Sequence, residues 1–169
     1  YQIQKSMLPT RIPNLPGWGL AAHWQPAREV SGDFYDFVPL PDGRIALVVG
    51  DVTDKGVPAA LLMTVTRSTI RTAAAQASSP GKLLARANDI LCPQMPLSMF
   101  VTCQVAYLDP RDGRFELANA GHPFPLLYRA GQITEIHATG LSLGVIPGMR
   151  YEPKVEQLEP GDQILFYSD

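Results

Sequence analysis

Ile45-Ala46-Leu47-Val48-Val49-Gly50-Asp51, running on into Val52-Thr53-Asp54-Lys55-Gly56, carries an apolar run into an acidic end. Arg44 to Val49 reads as a buried, central strand. A carboxylate at the end of a buried strand is costly unless something positive holds it there. The pattern then changes. Pro58 sits where a first helical turn tolerates proline, and Ala59 to Ala77 contains no glycine or proline. Ser78-Ser79-Pro80 supplies a serine cap and a first-turn proline for a second helix, expected to reach about Leu91. Leu83, Leu84, Ala87, Ile90 and Leu91 form its apolar stripe.

Outward from this core the chain reads as strands and turns. Strands are expected at Leu20 to Gln25, Phe34 to Leu40, Met99 to Leu108, Arg114 to Ala118, Val155 to Leu158 and Gln163 to Tyr167. Leu126 to Arg129 and Ile133 to Ile136 form a hairpin around Ala130-Gly131. Pro41-Asp42-Gly43, Asp109 to Gly113 and Glu159-Pro160-Gly161-Asp162 are tight turns. Consecutive strands joined this way predict antiparallel sheets, with one helical pair set apart from them, an α+β fold. Residues 1–10 read as the end of a linker helix stopped by Pro9, entering from a longer protein, and 11–17 as a proline-rich connection.

The 169 residues predict one domain with a sizeable core. A net charge of −2, from 14 basic and 16 acidic residues, gives no basic patch and argues against nucleic acid as a partner. No apolar run approaches the roughly 18 residues of a membrane span, and the N-terminus lacks a secretion-signal layout. Cys92 and Cys103 have neither disulfide-framework nor metal-ligand spacing and read as reduced thiols, which fits the cytoplasm.

Two further acidic ends accompany Asp51: Val30-Ser31-Gly32-Asp33-Phe34-Tyr35-Asp36, and the final Ile164-Leu165-Phe166-Tyr167-Ser168-Asp169. Carboxylates brought together repel one another, and a divalent cation offsets that repulsion. Oxygen ligands suit Mg²⁺, Mn²⁺ or Ca²⁺. Taken alone, Gly32-Asp33 is more often a turn than a ligand, and Asp54 reads as a loop residue. Asp36 has two readings, one orienting a ligand and one facing water. His122, in Asn119-Ala120-Gly121-His122-Pro123, is a candidate general acid or ligand-orienting group, against a turn histidine satisfied by backbone. His23 and His137 read as structural. Arg28 is a candidate phosphate contact, against a surface arginine. An apolar strand ending in Asp51-Val52-Thr53 has a partial likeness to the haloacid dehalogenase signature. That signature requires a second aspartate where Thr53 stands, and a parallel sheet.

Pro26-Ala27-Arg28-Glu29-Val30-Ser31-Gly32-Asp33-Phe34-Tyr35-Asp36, Gly50 through Ala60, Asn119 through Pro123 and Phe166-Tyr167-Ser168-Asp169 occur in one order. In that order they resemble the SpoIIE/RsbU-type branch of the PPM (type 2C-like) metal-dependent protein serine/threonine phosphatases. The resemblance implies two stacked antiparallel sheets flanked by helices, with residues 11–169 as the phosphatase domain. It implies two Mn²⁺ or Mg²⁺ ions and a metal-bound water that attacks phosphorus. Asp51 matches the bridging carboxylate, Asp33 and Asp169 match single-metal ligands, and Val52 matches the residue that gives a backbone carbonyl. The implied partners are a phosphorylated STAS-type anti-sigma antagonist and an upstream sensor domain. A homodimer is left open.

Three departures from the family pattern carry expectations. The sequence ends at Asp169, where the family continues with glycine and a further metal-binding aspartate, so the domain is expected to be C-terminally incomplete and one metal site to lack a ligand. A non-catalytic, phosphatase-derived binding module is the competing reading. Ser31 stands at a usual glycine, which would strain a backbone of positive φ. The histidine that follows the bridging aspartate in the eukaryotic branch has no match here, where Val52 and Thr53 stand, leaving the general acid open.

Overall fold

Helix α1 (Gln2–Met7) is followed by strands β1 (Phe34–Pro39) and β2 (Ile45–Val52) and helices α2 (Val57–Ala74) and α3 (Pro80–Leu91). Strands β3 (Val101–Leu108), β4 (Arg114–Ala120), β5 (Leu126–Arg129), β6 (Gln132–Glu135), β7 (Lys154–Gln157) and β8 (Gln163–Leu165) complete the chain. The computed structural model describes residues 2–26 and 30–169, and only the backbone of Gln2. Arg28 therefore lies outside the described residues.

All named strand pairs are antiparallel. They form a five-stranded sheet of order β1-β2-β3-β4-β7 and a three-stranded sheet of order β6-β5-β8. The α+β architecture expected from the turns is the one observed, and the absence of parallel pairs among the described residues removes the dehalogenase likeness.

Side-chain alternation along the strands gives the large sheet two different faces. One carries Ala46, Val48, Val52, Val101, Cys103 and Val105 and packs with Met63 and Ile70 of α2 and Leu83 and Leu84 of α3. The other carries Ile45, Ala106, Leu108, Phe115 and Leu117 and packs with Leu127, Ile136, Ile164 and Phe166 from the small-sheet side. The molecule is thus layered as helices, large sheet and small sheet.

The two long helices form for the reasons their sequences carry. Pro58 opens α2, whose buried Ala59, Met63, Thr66, Ile70, Ala73 and Ala74 recur at helical spacing. Ser79 caps α3, its hydroxyl accepting from the Lys82 amide at 3.2 Å. The stripe on α3 differs from expectation at one position. Ile90 is exposed and Asn88 is fully buried, because its amide donates to the Ile146 carbonyl and accepts from the Gly144 amide, each at 2.8 Å.

The strand expected at Leu20 to Gln25 does not form. Its side chains are mostly exposed, so no buried face selects an extended register. Trp24 alone of this stretch packs against the core, and its indole N–H donates to the Asp33 carbonyl at 3.0 Å. Residues 2–7 are helical, as expected, and Gln4 donates to the Ser31 carbonyl and accepts from the Ser31 amide.

Asp36 lies on the helix-facing side of β1, opposite Val48, and is 1% exposed. Both of its oxygens accept from Arg71 Nη1, at 2.6 and 2.8 Å. Arg67 Nε sits 3.0 Å from Oδ2, as an ion pair poorly aligned for a hydrogen bond. Asp36 faces the helix layer rather than water, and pins α2 to β1. Removing one member of a buried pair leaves the other charge uncompensated. Asp36→Asn should therefore lose about 3 kcal/mol in urea unfolding, less than a fully enclosed pair because Arg71 can turn to water. Asp36→Leu combined with Arg67→Met should recover part of that loss.

Candidate active site

β2, β3 and β4 set the floor of the site through their register. Asp51 pairs with Thr102, Val49 with Gln104, and Gln104 with Asn119. Cross-strand partners share a face, so Asp51, Thr102, Gln104 and Asn119 all project toward the small sheet. That face is apolar at the Ile45–Leu108–Phe115 end and polar at this one. The inter-sheet layer opens here into a cleft of ≈ 460 Å³ lined by Asp51, Thr53, Thr102, Gly121, His122, Pro123, Phe124 and Asp169. None of these lining residues is a lysine or arginine.

Asp51 is the electrostatic centre. Burial, and after it the negative charges of Asp33 and Asp169, together raise its carboxyl from the ordinary 3.8 to about 6. The three sequence-predicted carboxylates are thus within mutual electrostatic reach. Among the described residues no three His, Cys, Asp or Glu side chains close into the ligand set of a single ion. The carboxylates are gathered around Asp51 without enclosing one point.

Asp33 reaches the site on the loop before β1. Its Oδ2 accepts from the Ser31 hydroxyl at 2.8 Å, and its amide donates to the same hydroxyl at 3.1 Å. Its Oδ1 is buried with no hydrogen-bond partner. Buried carboxylate oxygens are ordinarily paired, so this free oxygen fits a cation ligand. Ser31 has no positive φ, and the strain expected of it is absent. The glycine requirement falls on Gly32, through space rather than φ. A Cβ there would meet the Val52 carbonyl oxygen and lie 3.0 Å from Asp51 Oδ1. The Val52 amide donates to the Gly32 carbonyl at 3.3 Å, which ties the Asp33 loop to the end of β2. Asp54 lies in the following loop, exposed, with φ 77° and its carboxylate accepting from the Lys55 amide.

The Asn119-Ala120-Gly121-His122 turn is closed by its own first side chain. Asn119 donates to the His122 carbonyl at 2.8 Å and accepts from the His122 amide at 2.9 Å. Gly121 has φ 71°, and any Cβ there would also collide with the Ser142 hydroxyl. His122 is 4% exposed. Its Nδ1 is 2.9 Å from Thr102 Oγ1 and its Nε2 is 3.0 Å from the Tyr167 carbonyl. Burial pushes its pKa down, which favours the neutral ring.

Sequence reasoning missed Thr102 and Thr53. Thr53 Oγ1 donates to the Phe100 carbonyl at 3.0 Å and accepts from the Phe100 amide at 2.9 Å, fixing one wall of the cleft. Thr102 and Gln104 were visible as polar residues two apart in an otherwise apolar strand, a signature of one polar face. Of the other histidines, His23 is exposed and His137 pairs with Glu135 at 3.1 Å and stacks on Phe124.

Residues 41–169 match the family model of Stage II sporulation protein E. The phosphoserine phosphatase RsbU of Bacillus subtilis is 30% identical over 99% of this chain and 50% of its own length. The solved RsbU and RsbW domains of Rv1364c from Mycobacterium tuberculosis are 34% identical, with a TM-score of 0.74 over 85% of this chain and 40% of that one. The PP2C phosphatase domain of SpoIIE from Bacillus subtilis, at 23% identity, shares the fold, with a TM-score of 0.68 over 79% of this chain and 40% of that one. The chain thus spans half of RsbU or less of each solved chain. Matched across three quarters of its length by the family model and along nearly all of it by RsbU, the chain belongs to the SpoIIE family, in the SpoIIE/RsbU-type branch of the PPM protein phosphatases.

Proposed function

We propose that this chain hydrolyses phosphoserine or phosphothreonine on a regulatory protein, with two Mn²⁺ or Mg²⁺ ions held by Asp33, Asp51, Asp169 and the backbone carbonyl of Val52. The observation that carries this reading is the gathering of the carboxylates of Asp33 and Asp169 about Asp51, with no lysine or arginine among the described residues that line the cleft. When bound, the cations supply an attacking water of lowered pKa and offset the charge on the phosphoryl oxygens. The protein's own part is placement. Asp51 is fixed at the end of β2, Asp33 is held by Ser31, and Gly32 lets the two approach. No cysteine or serine nucleophile is required, which agrees with Cys103 being buried on the helix-facing side.

The likeness to RsbU supports the substrate class. A phosphorylated STAS-type anti-sigma antagonist is the proposed partner, residues 11–169 are the proposed phosphatase domain, and the helix at Gln2–Met7 is the proposed end of a connection from a sensor domain. A non-catalytic binding module is separated from this reading by metal titration of the full-length protein. Calorimetric absence of Mn²⁺ and Mg²⁺ binding would favour the module.

Asp51→Asn in the full-length protein should lower phosphopeptide turnover by at least about a hundredfold, since even groups that merely orient ligands cost 10–100-fold. It should leave the urea midpoint of the metal-free protein unchanged or raised, because a like charge has been removed. Turnover near the parent value would remove Asp51 from the site.

The same carboxyl sets a pH dependence. Its folded pKa of about 6 lies above the ordinary 3.8, so the folded state binds this proton more tightly than the unfolded chain. That contribution to stability is full below 3.8 and lost as pH rises through about 6. Metal-free protein should therefore lose stability relative to Asp51→Asn as pH rises from 3.8 through about 6, measured as the difference in urea midpoints. Mn²⁺ should restore it at the upper end. A difference that does not change with pH would contradict the assignment.

A further inference from the structure

We infer that His122 is a positioning residue: it joins Thr102 on the large sheet to Tyr167 beside Asp169, and so sets the spacing of Asp51 and Asp169 for their cation. This rests on the metal-dependent reading above and adds a role that the carboxylates do not supply themselves.

The argument begins with the protons. The Tyr167 carbonyl can only accept, so the imidazole N–H that meets it at 3.0 Å is on Nε2. In the neutral ring Nδ1 is then an acceptor, and the Thr102 hydroxyl donates to it at 2.9 Å. A hydroxyl has one proton to give. The other acceptor near Thr102 Oγ1 is the Asp51 carbonyl, at 3.4 Å, and the shorter contact takes the proton. The backbone amide and carbonyl of His122 are both taken by Asn119. Every polar atom of His122 is committed, and no N–H is left to deliver to a leaving group in the cleft.

The path of these bonds gives the role. Asp51 stands opposite Thr102 in the β2–β3 register. Thr102 holds His122, His122 holds the Tyr167 carbonyl, and Asp169 follows two residues later. β8, which leads to Tyr167, belongs to the small sheet, and that sheet shares no ladder with the large one. The His122 ring therefore ties the two sheets at the end where their apolar interlayer stops.

The test uses the full-length protein and Mn²⁺. Thr102→Val keeps the shape and removes only the hydroxyl. It should raise the calorimetric Kd for Mn²⁺ about tenfold and shift half-maximal activity to correspondingly higher Mn²⁺, with activity regained as Mn²⁺ increases. Thr102→Ser, which keeps the hydroxyl, should restore Mn²⁺ affinity. A structural role alone would lower the melting temperature without moving the Kd, and that result overturns the inference. So does a loss of kcat at saturating Mn²⁺ in Thr102→Val with parental Mn²⁺ affinity. A second readout needs no metal. In metal-free protein labelled with ¹⁵N-histidine, His122 should show a protonated Nε2 and an unprotonated Nδ1. A protonated Nδ1 overturns the tie. If the parent protein binds no Mn²⁺ while the Nε2–H tautomer is present, the phosphatase reading fails and the inter-sheet tie stands.

Discussion

Like charges gathered at one cleft must be held there by the backbone that carries them. That constraint falls on β2, whose side chains alternate between a helix-packed face and a face turned toward the small sheet. Asp51 is on the second face by parity alone. Its register with Thr102, and that of Gln104 with Asn119, makes this end of the inter-sheet layer polar, so that the two sheets part there. The cleft is where the sandwich runs out of apolar side chains. The carboxylates stay near one another because each is carried by a separately fixed backbone: a strand end, a loop locked by Gly32 and Ser31, and the extension of β8.

Asp36 and Asp51 show how differently one fold treats two carboxylates. They sit on adjacent strands, on opposite faces. Asp36 is enclosed and neutralised by Arg67 and Arg71, and its negative charge is a fastening. Asp51 is half-buried among charges of its own sign. A group that is unfavourable for folding in isolation, yet kept at a cleft, is the pattern expected of a functional site.

Much of this was legible from the chain. The tight turns gave the antiparallel sheets, Pro58 and the Ser79-Pro80 pair marked the helix starts, and the apolar run before Asp51 singled out a carboxylate that lines the cleft. What stayed hidden depends on partners far away in sequence. Asp36 looked ambiguous because Arg67 and Arg71 are a strand and a loop away. His122 could be either a turn residue or a catalytic one until Thr102 and Tyr167 were seen to occupy both ring nitrogens. Leu20 to Gln25 has a strand's composition but no buried face to hold it. Ser31 looked strained by analogy, when the tight approach belongs to its neighbour Gly32.

The Asp36 fastening also divides α2. Arg67 and Arg71 secure the later turns to β1, whereas the first turn opens at Gly56 without a side-chain cap and leaves Val57 and Leu61 exposed. Amide protection along this helix should then form a gradient, low at the end that leaves β2 and high at the end held by the ion pair. Local opening of the first turn costs few buried contacts and leaves the β1 anchorage intact. The segment next to Asp51 can therefore loosen on its own, as a small cooperative unit, while the rest of the helix keeps its seat.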